Sequence, residues 1–144
     1  MENVKELTKI LGGTSVVGSP QSDFEFIEVI RKGLPSKVIK SVVKSSAVSE
    51  EVIYKALRIA KRTAARRKAS AARLKASESE LIYRFVKVLV AATDTLGDRD
   101  KARQWLFTKN HALNGERPID LLDTGIGFDD VMDVLHRIEF GVYS

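Results

Sequence analysis

The chain has 144 residues, 44% of them apolar and none of them cysteine, so it can bury an ordinary core but holds neither a disulfide framework nor a thiolate zinc site. No apolar run reaches membrane-spanning length, and the opening MENVKELTKILGG lacks the apolar core of a secretory signal; a cytoplasmic chain with no membrane partner is expected. The net charge of +5 conceals an asymmetry: residues 1–76 carry 16 Lys and Arg against 7 Asp and Glu, a net of +9, and residues 77–144 carry 8 against 12, a net of −4. A basic half joined to an acidic half implies a polyanion as partner for the first and a different molecule for the second.

Val4, Leu7, Ile10 and Leu11 have the spacing of a short N-terminal helix, and GGTSVVGSPQS after it reads as a linker. Ser22 and Glu25 have the spacing of a capping box, opening a helix with Phe24, Ile27 and Ile30 inward and Gly33 as its stop. Pro35 opens the next helix, which carries Val38, Ile39, Val42 and Val43; these valines exceed the needs of a three-helix core and point to a dimer interface. Ser49 caps a third helix with Val52, Ile53, Ala56 and Leu57 apolar, and AKRTAARRKASAARLKA is Ala-rich and helix-prone.

The acidic half opens on a second capping box, Ser77 with Glu80, and continues through the stripe Leu81, Phe85, Val88, Leu89, Ala92 and Leu96 to Gly97. Asp98 caps a helix whose inner face is Ala102, Trp105 and Leu106. Asn114-Gly115 marks a turn, Pro118 opens a short helix, and Phe128, Val131, Leu135 and Ile138 form the last stripe. Almost nothing alternates with period two. The expected fold is all-α, with an arm and linker over 1–22, a DNA-binding and dimerisation unit over 23–76 and a second helical unit over 77–144.

Catalytic chemistry has little to stand on. His111 and His136 are the two histidines, and neither is coupled to a nucleophile or a metal cluster. Asp129 and Asp130 read as dipole-compensating residues at the start of a helix, and GIG at 125–127 as a turn and helix start. No cofactor or small-molecule substrate is expected.

From Lys55 to Lys75 there are nine basic residues and no acidic one. The arrangement reads as a helix-turn-helix: a helix from Ser49 to Leu57, a turn at Arg58-Ile59-Ala60 and a recognition helix from Lys61. Such a motif sets the start of its second helix in the major groove while flanking cations hold phosphates. Lys61, Arg62, Thr63, Arg66, Arg67 and Lys68 are the candidate DNA-contacting residues. Three departures stand out: Arg58 holds the turn position usual for Gly, Tyr54 stands where a small residue lets helices cross, and Ala64 replaces a β-branched core residue.

The stretch DRDKARQWLFTKNHALNGERPIDLLDTGIGFDDVMDVLHRIEFGVYS resembles the toxin-binding domain of the Xre/MbcA/ParS antitoxins. The resemblance rests on Ala102, Arg103, Trp105 and Leu106, on Asn110, Leu113 and Gly115, on Pro118, Leu121, Leu122, Thr124 and Gly125, and on Val131, Leu135, Ile138, Gly141, Val142 and Tyr143. It implies an Xre/Cro-like helix-turn-helix unit followed by a small toxin-binding domain, and an antitoxin that is itself not an enzyme. The implied partners are a RES-domain toxin that degrades NAD, operator DNA of its own operon, and a second copy in a homodimer. The implied toxin-binding residues are Trp105, Asn110, Leu113, Leu121, Arg137, Gly141, Val142, Tyr143 and Ser144. Val142 and Tyr143 lie past the helix stop at Gly141, so the helix cannot bury them on its inner face; with the Ser144 carboxylate they fit a plug for the toxin's NAD cleft. A second reading is a stand-alone regulator whose acidic half binds an effector or a protein other than a toxin.

Overall fold

A computed structural model describes the backbone of residues 2–70 and 72–141 and the side chains of residues 3–66 and 72–141. Among these residues the chain is helical: α1 (Glu2–Ile10), α2 (Thr14–Val17), α3 (Phe26–Lys32), α4 (Val38–Ser46), α5 (Glu50–Ala56), α6 (Lys61–Ser70), α7 (Ala76–Leu96), α8 (Arg99–Leu106) and α9 (Gly125–Glu139). Two 3-10 helices, His111–Leu113 and Pro118–Leu121, connect α8 to α9, and extended pairing is limited to the isolated bridges Pro35–Arg73 and Asn110–Glu116.

The 21-residue α7 organises the rest. Its buried Ile82, Phe85, Val86, Val88, Leu89, Val90 and Ala92 spread over more than half of the helix circumference at ~100° per residue, so one neighbouring layer cannot cover them. α1 and α3 pack on α7 from the N-terminal half, and α8 and α9 from the C-terminal half. Glu78 starts the helix by accepting the Lys75 N–H at 2.9 Å, two residues ahead of the Ser77–Glu80 box expected from the sequence. Ser79 is instead fully buried and accepts the Leu34 N–H at 2.8 Å, fastening the segment after α3 to α7. Glu80 pairs with Arg84 one turn later. Gly97, at φ 102, ends the helix in the left-handed conformation that glycine adopts without strain.

The first 22 residues are not a loose arm. Leu7, Ile10 and Leu11 are among the most deeply buried side chains, and the Arg99–Glu6 ion pair at 3.2 Å ties α1 to α8. The register of α3 also differs from expectation. Phe24 is 78% and Ile27 38% exposed, whereas Phe26 is fully buried with its ring 5.2 Å from that of Tyr83. Ser22 and Glu25 do cap this region, but one step out of phase: Ser22 Oγ accepts the Glu25 N–H and the Glu25 carboxylate accepts that of Gln21. This closes a turn over 22–25, delays the helix to Phe26 and rotates its face. Asp23 anchors the turn to α7, accepting from Tyr83 Oη at 2.8 Å and Lys87 Nζ at 2.6 Å. Burial raises the Asp23 pKa, but these two hydrogen bonds together with the positive charge of Lys87 outweigh it and hold the carboxyl below its ordinary value.

Val38 and Val42 are fully buried and belong to the core, which removes them as dimer-forming surface. Gly33 shows why the sequence stops α3 there: a Cβ on it would lie 2.3 Å from the Leu74 carbonyl, and Leu74 N–H in turn bonds the Leu34 carbonyl at 2.8 Å. At the end of α4, Ala47 takes a left-handed φ of 58 and its N–H closes on the Val43 carbonyl at 3.0 Å. Alanine is strained there and exposed. Ala47→Gly is therefore expected to stabilise the fold by about 0.5–1 kcal/mol, seen as a higher midpoint in thermal or urea unfolding.

Candidate functional site

Two surfaces gather the residues singled out by sequence, one in each half. The first is built on α5 and α6. Ser49 caps α5, its Oγ accepting the Val52 N–H at 3.2 Å. The helix then ends in two crossed bonds, Ile59 N–H to the Tyr54 carbonyl at 2.8 Å and Arg58 N–H to the Lys55 carbonyl at 3.2 Å. That is a Schellman motif, with Arg58 at φ 60 in the position that favours glycine. Ile59 and Tyr54, the two residues joined by the first of these bonds, are both buried. The departures seen in the sequence are thus accommodated. Arg58 adopts the left-handed turn, Tyr54 is buried with burial and Glu50 raising its phenol pKa to about 12, and Ala64 packs in the core at 5% exposure.

The turn presents the start of α6 outward. Lys61, Arg62 and Arg66 are exposed and Thr63 is half-buried. No acid lies in the first turn of α6, so the positive end of the helix dipole adds to these cations. The side chains of Arg67 and Lys68 fall outside the described residues. The arrangement can hold phosphates through its cations and reach base edges from the first turn of α6.

The second surface is a groove of about 280 Å³ between α9 and the loop that precedes it. It is lined by Leu113, Leu121 and Val134 together with Glu116, Asp130, Asp133 and Arg137. Asn110 builds the loop rather than lining the groove. Its Oδ1 accepts the Ala112 N–H at 2.9 Å, and its backbone pairs with Glu116 and Gly115 around the Asn114 turn. Arg117 grips Asp120 through two bonds of 2.8 and 2.9 Å and lies over the Phe107 ring, fixing the second 3-10 helix. α9 docks against that helix through Gly127, where a Cβ would lie 2.0 Å from the Leu121 carbonyl. Thr124 caps α9 by accepting the Gly127 N–H at 3.0 Å. GIG is thus a close-packed helix start, as its short glycine spacing implied. Asp129 and Asp130 lie one turn further into α9 than expected, too far in to cap it.

Leu113, Leu121 and Arg137 therefore share one surface. Trp105 does not line it and packs, half-buried, against the core. Gly141 is exposed at φ 68, one turn beyond Arg137; Val142, Tyr143 and Ser144 lie outside the described residues. The sequence reading missed Asp130, Asp133 and Val134 as groove residues, although with Arg137 they have the i, i+3, i+4, i+7 spacing of one helix face. It also missed Phe140, which is 64% exposed against the His136 ring. Among the described residues no three His, Asp or Glu gather to hold a metal ion, and no helix is long and apolar enough to cross a membrane.

Comparison with known proteins matches both surfaces to described domains. Residues 25–87 fit the antitoxin Xre-like helix-turn-helix domain, and residues 91–141 fit the antitoxin Xre/MbcA/ParS C-terminal toxin-binding domain. The chain is 35% identical to an antitoxin Xre of Yersinia enterocolitica, over 82% of this chain and 80% of that one. It is 34% identical to an antitoxin Xre of Photorhabdus laumondii, over 89% and 88% of the two chains. A Prs ADP-ribosylating antitoxin of a Sphingobium species is 26% identical over 85% of this chain and 83% of its own. The two domain matches, in this order along one chain, and the two Xre relatives together establish that this protein belongs to the Xre/MbcA/ParS family of antitoxins.

Proposed function

We propose that the chain neutralises a RES-domain, NAD-degrading toxin by steric cover, and that it binds operator DNA as a homodimer to repress its own operon. The observation that carries the toxin reading is the groove on α9. Three of the expected toxin-binding side chains, Leu113, Leu121 and Arg137, line it together within the matched toxin-binding domain. A lining of Leu113, Leu121 and Val134 beside Glu116, Asp130, Asp133 and Arg137 suits a partner segment that pairs apolar with charged side chains. In this reading the chain contributes binding and no catalysis.

The tail follows from the same surface. Gly141 lies one turn beyond Arg137, which lines the groove. In the proposed complex Gly141, Val142, Tyr143 and Ser144 enter or rim the toxin's NAD cleft. Deleting Val142–Ser144 is expected to leave a complex that still co-purifies and melts normally but restores NAD breakdown. Full inhibition by an intact complex of the truncated chain would contradict the plug.

The DNA reading rests on the Schellman turn that sets out Lys61, Arg62, Thr63 and Arg66, with Arg67 and Lys68 following on α6. Because Val38 and Val42 are core, the large apolar side chains left for self-association in this half are the exposed Phe24, Ile27 and Val52. Lys61→Ala and Arg62→Ala are each expected to weaken binding to the duplex upstream of the coding sequence and to reduce the slope of log affinity against log salt by about 1. Titrations at several salt concentrations check this; an unchanged slope would place the DNA contacts elsewhere.

A further inference from the structure

Arg58 is one of the nine basic residues from Lys55 to Lys75 and holds the turn position usual for Gly. In the structure it makes a contact that crosses from the basic half to the acidic half: its Nε lies 3.1 Å from Asp123 Oδ2. The two ends of this contact differ. The Arg58 side chain is 77% exposed, while that of Asp123 is 24% exposed. Asp123 is held by its chain neighbours, since Leu122 is fully buried and its carbonyl accepts from Arg84 at 3.3 Å. Arg58 leaves the backbone from the left-handed residue of the Schellman turn, three positions before the exposed Lys61. Glycine would occupy that position with less strain, and a bulky residue kept in a strained conformation points to a use for its side chain.

We propose that Arg58 is a phosphate-contacting residue of the DNA face and that Asp123 occupies its guanidinium as a built-in phosphate mimic when DNA is absent. The inference rests on the DNA-binding reading above. A guanidinium meets a carboxylate and a phosphate through the same planar fork of N–H donors, so one can replace the other without rebuilding the turn. An exposed ion pair of this kind is weak and screened by salt, which makes the exchange inexpensive. The phosphate contact adds release of condensed counter-ions, which the carboxylate cannot offer. Asp123 also lies two residues after Leu121, which lines the groove on α9. The competitor is therefore covalently joined to the surface assigned to the toxin.

The test is a two-residue cycle measured on a labelled random-sequence duplex, because phosphate contacts do not depend on sequence. Asp123→Asn is expected to raise affinity roughly two- to fivefold, the range of a released surface ion pair. Arg58→Ala is expected to lower affinity and to reduce the salt slope by about 1. With Arg58→Ala in place, Asp123→Asn should have no further effect. Asp133→Asn removes the same charge from α9 and should give less than the Asp123→Asn gain. Asp123→Ser takes the place of the amide if thermal melting shows that Asp123→Asn unfolds the turn. A gain from Asp123→Asn that persists without Arg58, or no gain with it, overturns the proposal. If Lys61→Ala with Arg62→Ala leaves the duplex bound as before, the DNA reading itself fails and this proposal with it; if that pair weakens binding while Arg58 and Asp123 show no coupling, only the proposal fails.

Discussion

The burial of α7 is the constraint on which the rest of the structure depends. Its apolar side chains occupy more than half of its circumference, so the helix is stable only when layered from two sides. α1 and α3 provide one layer, and α8 and α9 the other. The two matched domains meet within this helix, one ending at residue 87 and the next beginning at residue 91. Neither half completes its core without α7. The basic helix-turn-helix half and the acidic half that matches the toxin-binding domain are thereby fixed to one rod.

That arrangement gives the charge asymmetry a spatial meaning. The cations of α6 gather where a helix start and a tight turn leave them exposed, and the acids Asp130 and Asp133 of α9 line a groove. Opposite signs on two faces of one molecule would favour self-association through charge alone. The contact between Arg58 and Asp123 joins the two halves, as the Asp23–Lys87 and Arg99–Glu6 pairs also do, and it lies at the turn that aims α6. Electrostatics here serves mainly to sort partners: a polyanion is drawn to one face and repelled from the other.

Much of this was legible in the sequence, for reasons that differ by element. Asp98 and Ser49 cap helices as their spacing implied, because a side-chain cap is a local interaction. The helix-turn-helix was legible for the same reason: Ser49 and the basic run fix its limits, and only the conformation of Arg58 needed coordinates. The register of α3 was not legible. Phe24 and Phe26 are equally apolar, and the choice between them is made by Asp23 reaching Tyr83 and Lys87, which lie some sixty residues away along the chain. The first 22 residues read as an arm because glycines flank a short helix, yet α7 required a cover that no local pattern announces. In the groove, Leu113 and Leu121 belong to the family pattern and Arg137 was a candidate beside it, whereas Asp130, Asp133 and Val134 show only once α9 is laid against the loop. Asn110 and Trp105 carry the same pattern for structural reasons, one capping a turn and the other packing on the core.

The central claim is that the groove on α9 is where the toxin sits. Amide hydrogen exchange on the chain alone and with a cognate RES-domain toxin tests it directly, since a seated partner slows exchange where it excludes water. The account predicts new protection over Ala112–Glu116, around Leu121 and along Asp130–Gly141, with Lys61–Arg66 unchanged. Protection confined to α5 and α6, with α9 exchanging as it does in the free chain, would contradict it.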